Sequence, residues 1–317
     1  MEQEKKQKLI ILTGPTAVGK TDLSIGLAKA LNGAIISADS MQVYKKMDIG
    51  TAKITKEEMN GIDHYLIDIL EPDEEFNVVK FKEYAREAIE TIHRENKIPI
   101  VVGGTGFYIQ ALLYDTKFAN MDTDYEYRQF LEKEAKEKGN LYLHQQLEQV
   151  DYEASLQIHP NNVKRVIRAL EYYKTTNLKI SEHNEEQRQN ESPYDFHYFV
   201  LNMNRDALYH RINQRIDLMV KQGLVEEVTT LKKAGYERNS VAMQGIGYKE
   251  LYSYLDNEIS LEEAILQIKQ NTRHFAKRQL TWFRREKEVV WVNKDEFQGE
   301  EQLLEFLLKE INGEQNQ

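Results

Sequence analysis

The 317-residue chain contains no cysteine and no long hydrophobic run. Without cysteine it cannot form disulfide bonds, thiolate metal sites or a cysteine nucleophile, although the redox compartment is left undetermined. Residues 1–8 are polar and charged, and the apolar run that follows covers only Leu9–Leu12. That run is too short for a signal peptide or a membrane span, so we expect a cytoplasmic location.

The chain is also poor in positive charge, with a net charge of -10 at pH 7. This balance argues against nucleic acid as a partner, because phosphate binding depends on lysine and arginine, but a local basic patch could overcome it. The composition, 41% hydrophobic and 30% charged, is typical of a globular protein with a sizeable core. The length predicts one large core with a smaller second part.

Strand and helix signals alternate in the first half of the chain. Residues at helical spacing separate the strand candidates, and Asn77 is the predicted N-cap of one helix. This alternation predicts an α/β fold with a doubly wound parallel sheet. The predicted buried strands are Leu9–Thr13, Ala34–Ser37, Tyr65–Ile69, Ile98–Val102 and Tyr198–Asn202.

The strand signal is absent from residue 118 to residue 193, where the sequence is helical and highly charged. We interpret 118–193 as a helical insertion domain, between the two segments 1–117 and 194–317 of the core. Within the insertion, the polar stretch Ser181–Ser192 is predicted to be a mobile loop.

Helices are predicted again after the insertion. One spans Asp206–Ala234 and ends at Gly235, and another begins at Ser260, where Glu263 completes a capping box. These helices make up the C-terminal part of the core.

Gly14–Thr21 fits the pattern G-x-x-x-x-G-K-[ST], directly after a predicted strand and at the start of a predicted helix. In such a loop, backbone N–H groups and the helix N-terminus converge on phosphate oxygens, and Lys20 adds a full charge. The hydroxyl of Thr21 would hold Mg²⁺. The pattern predicts a P-loop NTPase-like core that binds a di- or triphosphate, without identifying the molecule.

A nucleotide hydrolase would carry an aspartate at the end of an apolar strand. Here the fourth predicted strand ends in Gly103–Gly106, which is either a tight turn or a ligand contact. The acid is Asp39, after the second strand. Because strand carboxyl ends face the ligand crevice, Asp39 and Thr105 should face the ligand. Asp39 is then a general base, a metal ligand through water, or a helix N-cap.

Cations and aromatics alternate in Arg273–Arg285. On a helix, Arg273, Lys277 and Arg284 would fall within about 40° of one another. This stripe is either a solvated face above an aromatic core or a surface for nucleic-acid phosphates.

Two further groups of cations stand out. Lys164, Arg165 and Arg168 form a weaker patch in the insertion, while Arg211 and Arg215 lie four residues apart on one helix. Each of these two arginines either clamps a phosphate or pairs with a carboxylate.

Taken together, these segments resemble the tRNA dimethylallyltransferase (isopentenyltransferase) family, in an order that spans most of the chain. The absence of cysteine rules out the zinc finger of some eukaryotic members, so the chain resembles the bacterial form. The matching segments are Gly14–Thr21, Ser37–Tyr44, Gly50–Lys53, Gly103–Tyr108, His159–Asn161, Lys164–Arg168, Arg215–Asp217, Gln244–Lys249 and Thr272–Arg284.

The resemblance implies transfer of a dimethylallyl group from dimethylallyl diphosphate to N6 of the adenosine on the 3′ side of the tRNA anticodon. It implies Asp39 as general base, with Thr105 beside it. The implied diphosphate ligands are Gly14, Thr16, Ala17, Val18, Gly19, Lys20, Thr21 with Mg²⁺, and Arg215.

The resemblance further implies that the protein binds the tRNA anticodon stem-loop and that the target base is flipped out. We also expect a monomer. The implied tRNA contacts are Asp39, Ser40, Met41, Gln42, Thr105, Lys164, Arg165, Val166, Ile167, Arg168, Gln244, Gly245, Tyr248, Lys249, Arg273, Lys277, Arg278, Gln279, Trp282 and Arg284. Three alternatives share the phosphate loop: a small-molecule kinase, a prenyltransferase of free adenine nucleotides, and a nucleotide-switched RNA-binding module.

Overall fold

The structure, a computed structural model, describes residues 6–118 and 124–313. Residues 1–5 of the polar N-terminal segment and 119–123 of the predicted insertion lie outside the described residues. The described chain forms a six-stranded parallel sheet in the order β3-β2-β4-β1-β5-β6. This confirms the doubly wound α/β, P-loop-like fold. The strands are β1 Gln7–Thr13, β2 Gly33–Ala38, β3 His64–Tyr65, β4 Ile98–Gly103, β5 Tyr194–Asn202 and β6 Val289–Asn293.

Helices connect and cover the strands. Among the described residues, no helix is both long and apolar enough to cross a membrane. The α-helices are α1 Lys20–Leu31, α2 Lys56–Met59, α3 Val78–Arg94, α4 Gly106–Leu113, α5 Tyr125–Lys138, α6 Asn140–Val150, α7 Tyr152–Gln157, α8 Val163–Thr176, α9 Ile180–Arg188, α10 Arg205–Lys221, α11 Leu224–Lys233, α12 Tyr248–Leu255, α13 Leu261–Phe283 and α14 Glu300–Asn312.

Strand β1 lies in the middle of the sheet, between β4 and β5. Its residues Leu9–Leu12 are fully buried, as the uninterrupted apolar run predicts for a strand covered on both faces. At the carboxyl edge, Gly103 of β4 pairs with Thr13 of β1 on one side and with Ala38 of β2 on the other. The segments that follow these three strands therefore begin at the same level of the sheet.

Two strand predictions need correction. Strand β3 covers only His64–Tyr65, because Leu66 and Asp68 have positive φ angles of 63° and 55°, which do not fit a ladder. Strand β6, Val289–Asn293, is not among the predicted strands and pairs with β5 at the edge of the sheet.

The helix predicted over Asp206–Ala234 is in fact two helices. Gly223 has a φ of 103°, a left-handed conformation that ends α10 and begins α11. The stretch Ser181–Ser192, predicted as a mobile loop, is also different, since its first eight residues belong to α9. Asp151 fixes the start of that helix, accepting bonds from the Ser181 backbone N (3.0 Å) and hydroxyl (2.6 Å).

Both predicted helix caps are confirmed. The Asn77 side chain accepts bonds from two backbone N–H groups in the first turn of α3. Ser260 and Glu263 form the reciprocal bonds of a capping box at the start of α13, at 3.2 Å and 2.9 Å.

The chain divides into two compact units, one comprising residues 1–113 with 193–317 and the other residues 114–192. The second unit is helical and has its own apolar core. That core contains Leu131, Ala135, Leu143, Leu147, Ala154, Ile158, Val166, Ile167, Ala169 and Leu170.

Asp151 is a buried acid on which two helices of the smaller unit depend. Its side chain is 1% exposed and accepts bonds from Ala154 N and from Ser181. We expect Asp151→Ala to lower the free energy of unfolding of this unit by about 2 to 3 kcal/mol, since a cap and buried bonds are lost. Urea unfolding followed by circular dichroism would measure it. Exposed Glu148→Ala serves as the control, and equal stabilities of the two variants would contradict the prediction.

Candidate active site

The loop between β1 and α1 carries the predicted phosphate-binding pattern. Gly14 follows β1 directly, and Gly19 precedes Lys20, the first residue of α1. Both glycines have positive φ, 145° and 93°, and a Cβ on Gly14 would lie 2.6 Å from the backbone O of Leu201. Glycine accepts these conditions without strain, so the loop can curl around the N-terminus of α1.

The side chain of Lys20 lies inside this loop. Its Nζ donates to the backbone O of Gly14 at 3.0 Å and of Pro15 at 2.9 Å. Burial, reinforced by the positive charge of Arg215 and opposed by Asp39, lowers the pKa of Lys20 to about 8. A bound anion would favour the charged amine again, so the surroundings of Lys20 suit a negatively charged ligand.

Two side chains from the C-terminal helices hold the loop from outside. The backbone N of Thr16 donates to Oε1 of Gln279 at 2.9 Å, and Nε of Arg211 donates to the backbone O of Ala17 at 2.9 Å. Ala17 has a φ of 66°, which is uncommon for a residue with a Cβ. Gln279 also donates through Nε2 to the backbone O of Gly104 at 3.0 Å. The glutamine therefore joins the phosphate loop to the turn after β4.

The implied tRNA contact of Gln279 stays a prediction, and within the protein this side chain has a structural role. Its side chain is only 6% exposed, and both amide atoms are bonded within the protein. Trp282, on the same helix, packs closely against Gly106 and meets Phe107 at 6.0 Å between ring centroids. This part of α13 thus supports the turn after β4.

Arg211 and Arg215 lie one turn apart on α10, near the phosphate loop. Among the described residues neither forms an ion pair within 4.0 Å with a carboxylate. The pKa of Arg215 is lowered by burial and by the charge of Arg211, while Asp22 acts in the opposite direction. This geometry favours the phosphate-clamp alternative over carboxylate pairing.

Asp39 follows β2 at the carboxyl edge of the sheet. Its Oδ1 accepts bonds from the backbone N of Met41 (2.8 Å) and Gln42 (3.4 Å), and Oδ2 has no partner among the described residues. Burial raises the pKa of Asp39, although these two bonds and the Lys20 charge act against the rise. No α-helix begins here, so the helix N-cap alternative is wrong. One carboxylate oxygen is fixed and the other is free for chemistry.

The turn Gly103–Gly106 lies between the phosphate loop and Asp39, because β4 lies between β1 and β2. The backbone N of Thr105 donates to the backbone O of Ala38 at 3.2 Å. A side chain on Gly103 would overlap the backbone of Ala38, which explains the first glycine. The Thr105 hydroxyl has no hydrogen-bond partner in the described part of the chain. The turn therefore brings its backbone close to that of Ala38 and also makes the Thr105 hydroxyl available to a ligand.

Gln42 is held by the segment that follows it. Its Oε1 accepts a bond from Ser37 Oγ at 3.0 Å, and Nε2 donates to the backbone O of Thr51 (3.3 Å) and Ala52 (3.4 Å). The carboxylate of Glu227 accepts bonds from three successive backbone N–H groups of residues 48–50 at 2.7 to 3.1 Å. The Gln42 side chain thus holds the backbone of Thr51 and Ala52, in addition to any contact with a substrate.

The predicted tRNA-contact segment Gln244–Lys249 is only partly on the surface. Tyr248 is 1% exposed and its hydroxyl donates to Glu227 at 2.7 Å, while its implied tRNA contact stays a prediction. A Cβ on Gly245 would lie 2.6 Å from the Met41 methyl group, so this segment packs beside the residues after Asp39. Gln244 is exposed and Lys249 is partly exposed.

Helix α13 separates its buried and cationic residues. Ala276, Gln279 and Phe283 are buried, whereas Lys277, Arg278 and Arg284 are exposed. Lys277 and Arg284 form no ion pair among the described residues, and Arg273 donates from Nη1 to Asn213 Oδ1 at 2.7 Å. The exposed cations are therefore available for an external partner.

The cationic patch of the smaller unit is divided by burial. Lys164, Arg165 and Arg168 are exposed on α8. Val166 and Ile167, 1% and 3% exposed, belong to the apolar core of that unit, and their implied tRNA contacts stay predictions. At about 100° per residue, both side chains point away from the middle of the face that carries the three cations, and so toward the core.

A metal ion would find few protein ligands near the loop. Among the described residues there is no group of three or more His, Asp or Glu side chains that could hold a metal ion. The exposed Thr21, in the first turn of α1, offers one hydroxyl. Such a site fits a Mg²⁺ whose other ligands are phosphate oxygens and water.

Known proteins share this arrangement of loop, turn and C-terminal helices. Residues 42–286 match the family described as IPP transferase. This chain belongs to the IPP transferase family. The match begins after the phosphate loop, so it is independent of that pattern. The chain is therefore a prenyltransferase, and the predicted family is confirmed.

Individual relatives match over nearly the whole of this chain. A tRNA dimethylallyltransferase from Lachnoclostridium phytofermentans is 59% identical over 303 residues, which is 96% of this chain and 97% of the relative. The crystal structure of a tRNA delta(2)-isopentenylpyrophosphate transferase from Staphylococcus epidermidis is 46% identical, covering 98% of this chain and 100% of that one, with a TM-score of 0.73. The structure of a eukaryotic dimethylallyltransferase acting on tRNA is 28% identical, with a TM-score of 0.79. The match covers 98% of this chain and 80% of that one.

The bond between Gln279 and Thr16 gives a direct test of the outer support of the loop. In Gln279→Met the Thr16 N–H loses its acceptor, so we expect its hydrogen exchange to be about tenfold faster or more. Gln279→Glu keeps an acceptor and should largely preserve the protection. Exchange measured by NMR on the three proteins would show this order, with exposed Gln270→Met as the control. Unchanged exchange at Thr16 in Gln279→Met would contradict the role of the glutamine.

Proposed function

We propose that this chain transfers the dimethylallyl group of dimethylallyl diphosphate to N6 of the adenosine on the 3′ side of the tRNA anticodon, releasing diphosphate. One observation carries the proposal: a cation-lined phosphate loop and a carboxylate with a free oxygen flank a turn that has no acid. The adjacent-strand spacing puts the ends of β1 and β2 roughly 10 Å apart. That gap has room for a reacting carbon between a bound diphosphate and an adenine amino group.

The leaving group is handled by the loop. As the bond between C1 of the donor and the diphosphate oxygen breaks, its electron pair stays on that oxygen. The backbone N–H groups at the start of α1, with Lys20 and Arg215, are placed to stabilise this charge. The lowered pKa of Lys20 supports the assignment, because the amine gains a favourable partner only when an anion is present.

The acceptor is handled by Asp39. An adenine amino group is a poor nucleophile, so its proton must be taken up as nitrogen bonds to C1. Asp39 Oδ2 is free to accept that proton while Oδ1 is held by Met41 and Gln42. The Thr105 hydroxyl, on the neighbouring turn, would orient the adenine. No water or phosphoryl group needs activation, which is why the turn after β4 needs no aspartate.

We assign Mg²⁺ as the cofactor, held by the Thr21 hydroxyl and the diphosphate. When bound, the ion supplies positive charge for the diphosphate oxygens. The residues of the loop would orient the donor and exclude water from the reacting carbon of the donor.

The exposed cations support tRNA as the acceptor. In a chain with a net charge of -10, Lys277, Arg278 and Arg284 are exposed at one helix, and the described residues include no carboxylate partner for Lys277 or Arg284. Backbone phosphates of RNA are the natural partners of such a surface. The anticodon-loop base would have to leave its stack to approach Asp39. A small-molecule kinase shares the phosphate loop but offers no role for these residues.

One reaction separates the candidates. The protein is mixed with Mg²⁺, dimethylallyl diphosphate and unmodified tRNA, and the tRNA nucleosides are analysed by mass spectrometry. We expect a five-carbon mass gain on one adenosine. A gain on AMP but not on tRNA would indicate an enzyme of free nucleotides, and phosphate transfer from ATP would indicate a kinase. RNA binding that changes with nucleotide, without any covalent product, would indicate a switch.

The general-base role of Asp39 predicts a specific defect. Asp39→Asn keeps an oxygen for Met41 N but cannot take up the proton, so kcat should fall by roughly 10² to 10⁴ while diphosphate binding is retained. Because burial raises the pKa of Asp39, the wild-type rate should fall as pH decreases through that raised pKa. The residual rate of the variant should lack this pH dependence. A variant with near-normal turnover would rule out the base role.

A further inference from the structure

Lys294 reaches the phosphate loop from the far end of the sheet. It follows β6 directly, and β6 runs parallel to the other strands, so Lys294 begins at the same carboxyl edge as the loop. Its Nζ lies 2.8 Å from the point that a Cβ on Gly19 would occupy. Its side chain is 15% exposed. An ammonium group is therefore held against the glycine that opens α1.

The backbone near Lys294 is anchored to the helix that carries the two arginines. The carboxylate of Asp295 accepts a bond at 2.5 Å from the backbone N of Asn204, the N-cap residue of α10. On α10, Nη2 of Arg211 lies 3.6 Å from the same Cβ point of Gly19. The β6 end and α10 thus bring two cations to one position on the loop.

The positive charge at this position is poorly compensated within the protein. Among the described residues, the one carboxylate within 4.0 Å of Lys294 Nζ is that of Glu300, at 3.4 Å, and its side chain is 53% exposed. An exposed pair of this length contributes little, since solvent screens it. Arg211 uses Nε for Ala17 and forms no ion pair among the described residues. An anion in the loop would have Lys20 on its inner side and these two cations at Gly19.

We propose that Lys294 is a further diphosphate-binding residue, whose ammonium contacts the diphosphate at the Gly19 side of the loop. This assignment rests on the proposed function. As the carbon–oxygen bond of the donor breaks, the added negative charge stays on the diphosphate, and a lysine on a flexible stem can follow it. The C-terminal segment after α13 thereby becomes part of the active site.

The competing role is structural. Lys294 could simply tie the start of α14 through Glu300, and α14 packs on α1, where Leu304 meets Gly26. The two roles predict different effects of removing the Glu300 charge. A structural pair would be broken by Glu300→Gln, which would destabilise the protein as Lys294→Met does. A diphosphate ligand would be freed by the same change, and binding would be preserved or improved.

The test uses inorganic diphosphate with Mg²⁺, titrated calorimetrically into the full-length protein. We expect Lys294→Met to weaken binding by about tenfold and to raise the KM for dimethylallyl diphosphate, with the tRNA affinity and the unfolding midpoint unchanged. Lys294→Arg should retain most of the affinity, and Glu300→Gln should bind at least as tightly as the wild type. Lys309→Met, an exposed lysine on α14, is the charge-matched control.

The outcomes separate the assignment from the function on which it rests. Lys20→Ala is the reference for the loop itself. If Lys20→Ala loses diphosphate binding while Lys294→Met binds within twofold of the wild type, the role of Lys294 is overturned and the proposed function stands. If Glu300→Gln and Lys294→Met lose affinity and stability equally, the structural role replaces it. If the wild type and Lys20→Ala bind diphosphate equally, the proposed function fails, and the assignment fails with it.

Discussion

The accumulation of positive charge around the loop between β1 and α1 is the constraint on which the rest of the site depends. Lys20 lies within a partly buried loop beside Arg215, and its pKa is lowered to about 8. This lowering of the pKa means that the site destabilises the charged amine relative to the neutral one by roughly 3 kcal/mol. Asp39 acts on Lys20 and Asp22 acts on Arg215, but among the described residues neither cation forms an ion pair within 4.0 Å with a carboxylate. The arrangement is therefore most favourable when an anion is bound.

Distant parts of the chain keep this charge in position. The loop has eight residues, but Arg211 on α10 and Gln279 on α13 make the bonds that hold Thr16 and Ala17. Gln279 also bonds the turn after β4, so the two halves of the site are joined through one amide. The C-terminal helices are thus part of the framework of the site, and in the proposed function the exposed cations of α13 also contact RNA. Buried and exposed faces of α13 divide these two tasks.

The sequence predicted those features that depend on local pattern. The phosphate loop follows from its glycines and lysine, and Asp39 and Thr105 follow from the rule that parallel strands end at one edge. The caps at Asn77 and Ser260 follow from side chains that bond the backbone nearby. The domain boundary was placed at residue 118 from composition, whereas contacts divide the chain after residue 113.

Features that depend on contacts between distant residues could not be predicted in this way. Gln279, Tyr248, Val166 and Ile167 lie in segments that resemble the family, and the resemblance gave no sign of which side chains are buried. The break at Gly223 and the helix after Lys179 depend on backbone conformation and on the Asp151 anchor. Strand β6 has a local signal in its run of valines. Because this strand was not predicted, the position of Lys294 at the carboxyl edge of the sheet could not be predicted either.

The lowered pKa of Lys20 also links the catalytic cycle to protons. Burial lowers the pKa of Lys20 to about 8, so the amine of the empty loop loses its proton more readily than an ordinary lysine. In the proposed function, a bound diphosphate would favour the ammonium form, so binding at alkaline pH would take up a proton from solvent. Release of the product returns that proton. The affinity for diphosphate should therefore fall at alkaline pH. Product release and binding of the next donor would both depend on the surrounding pH.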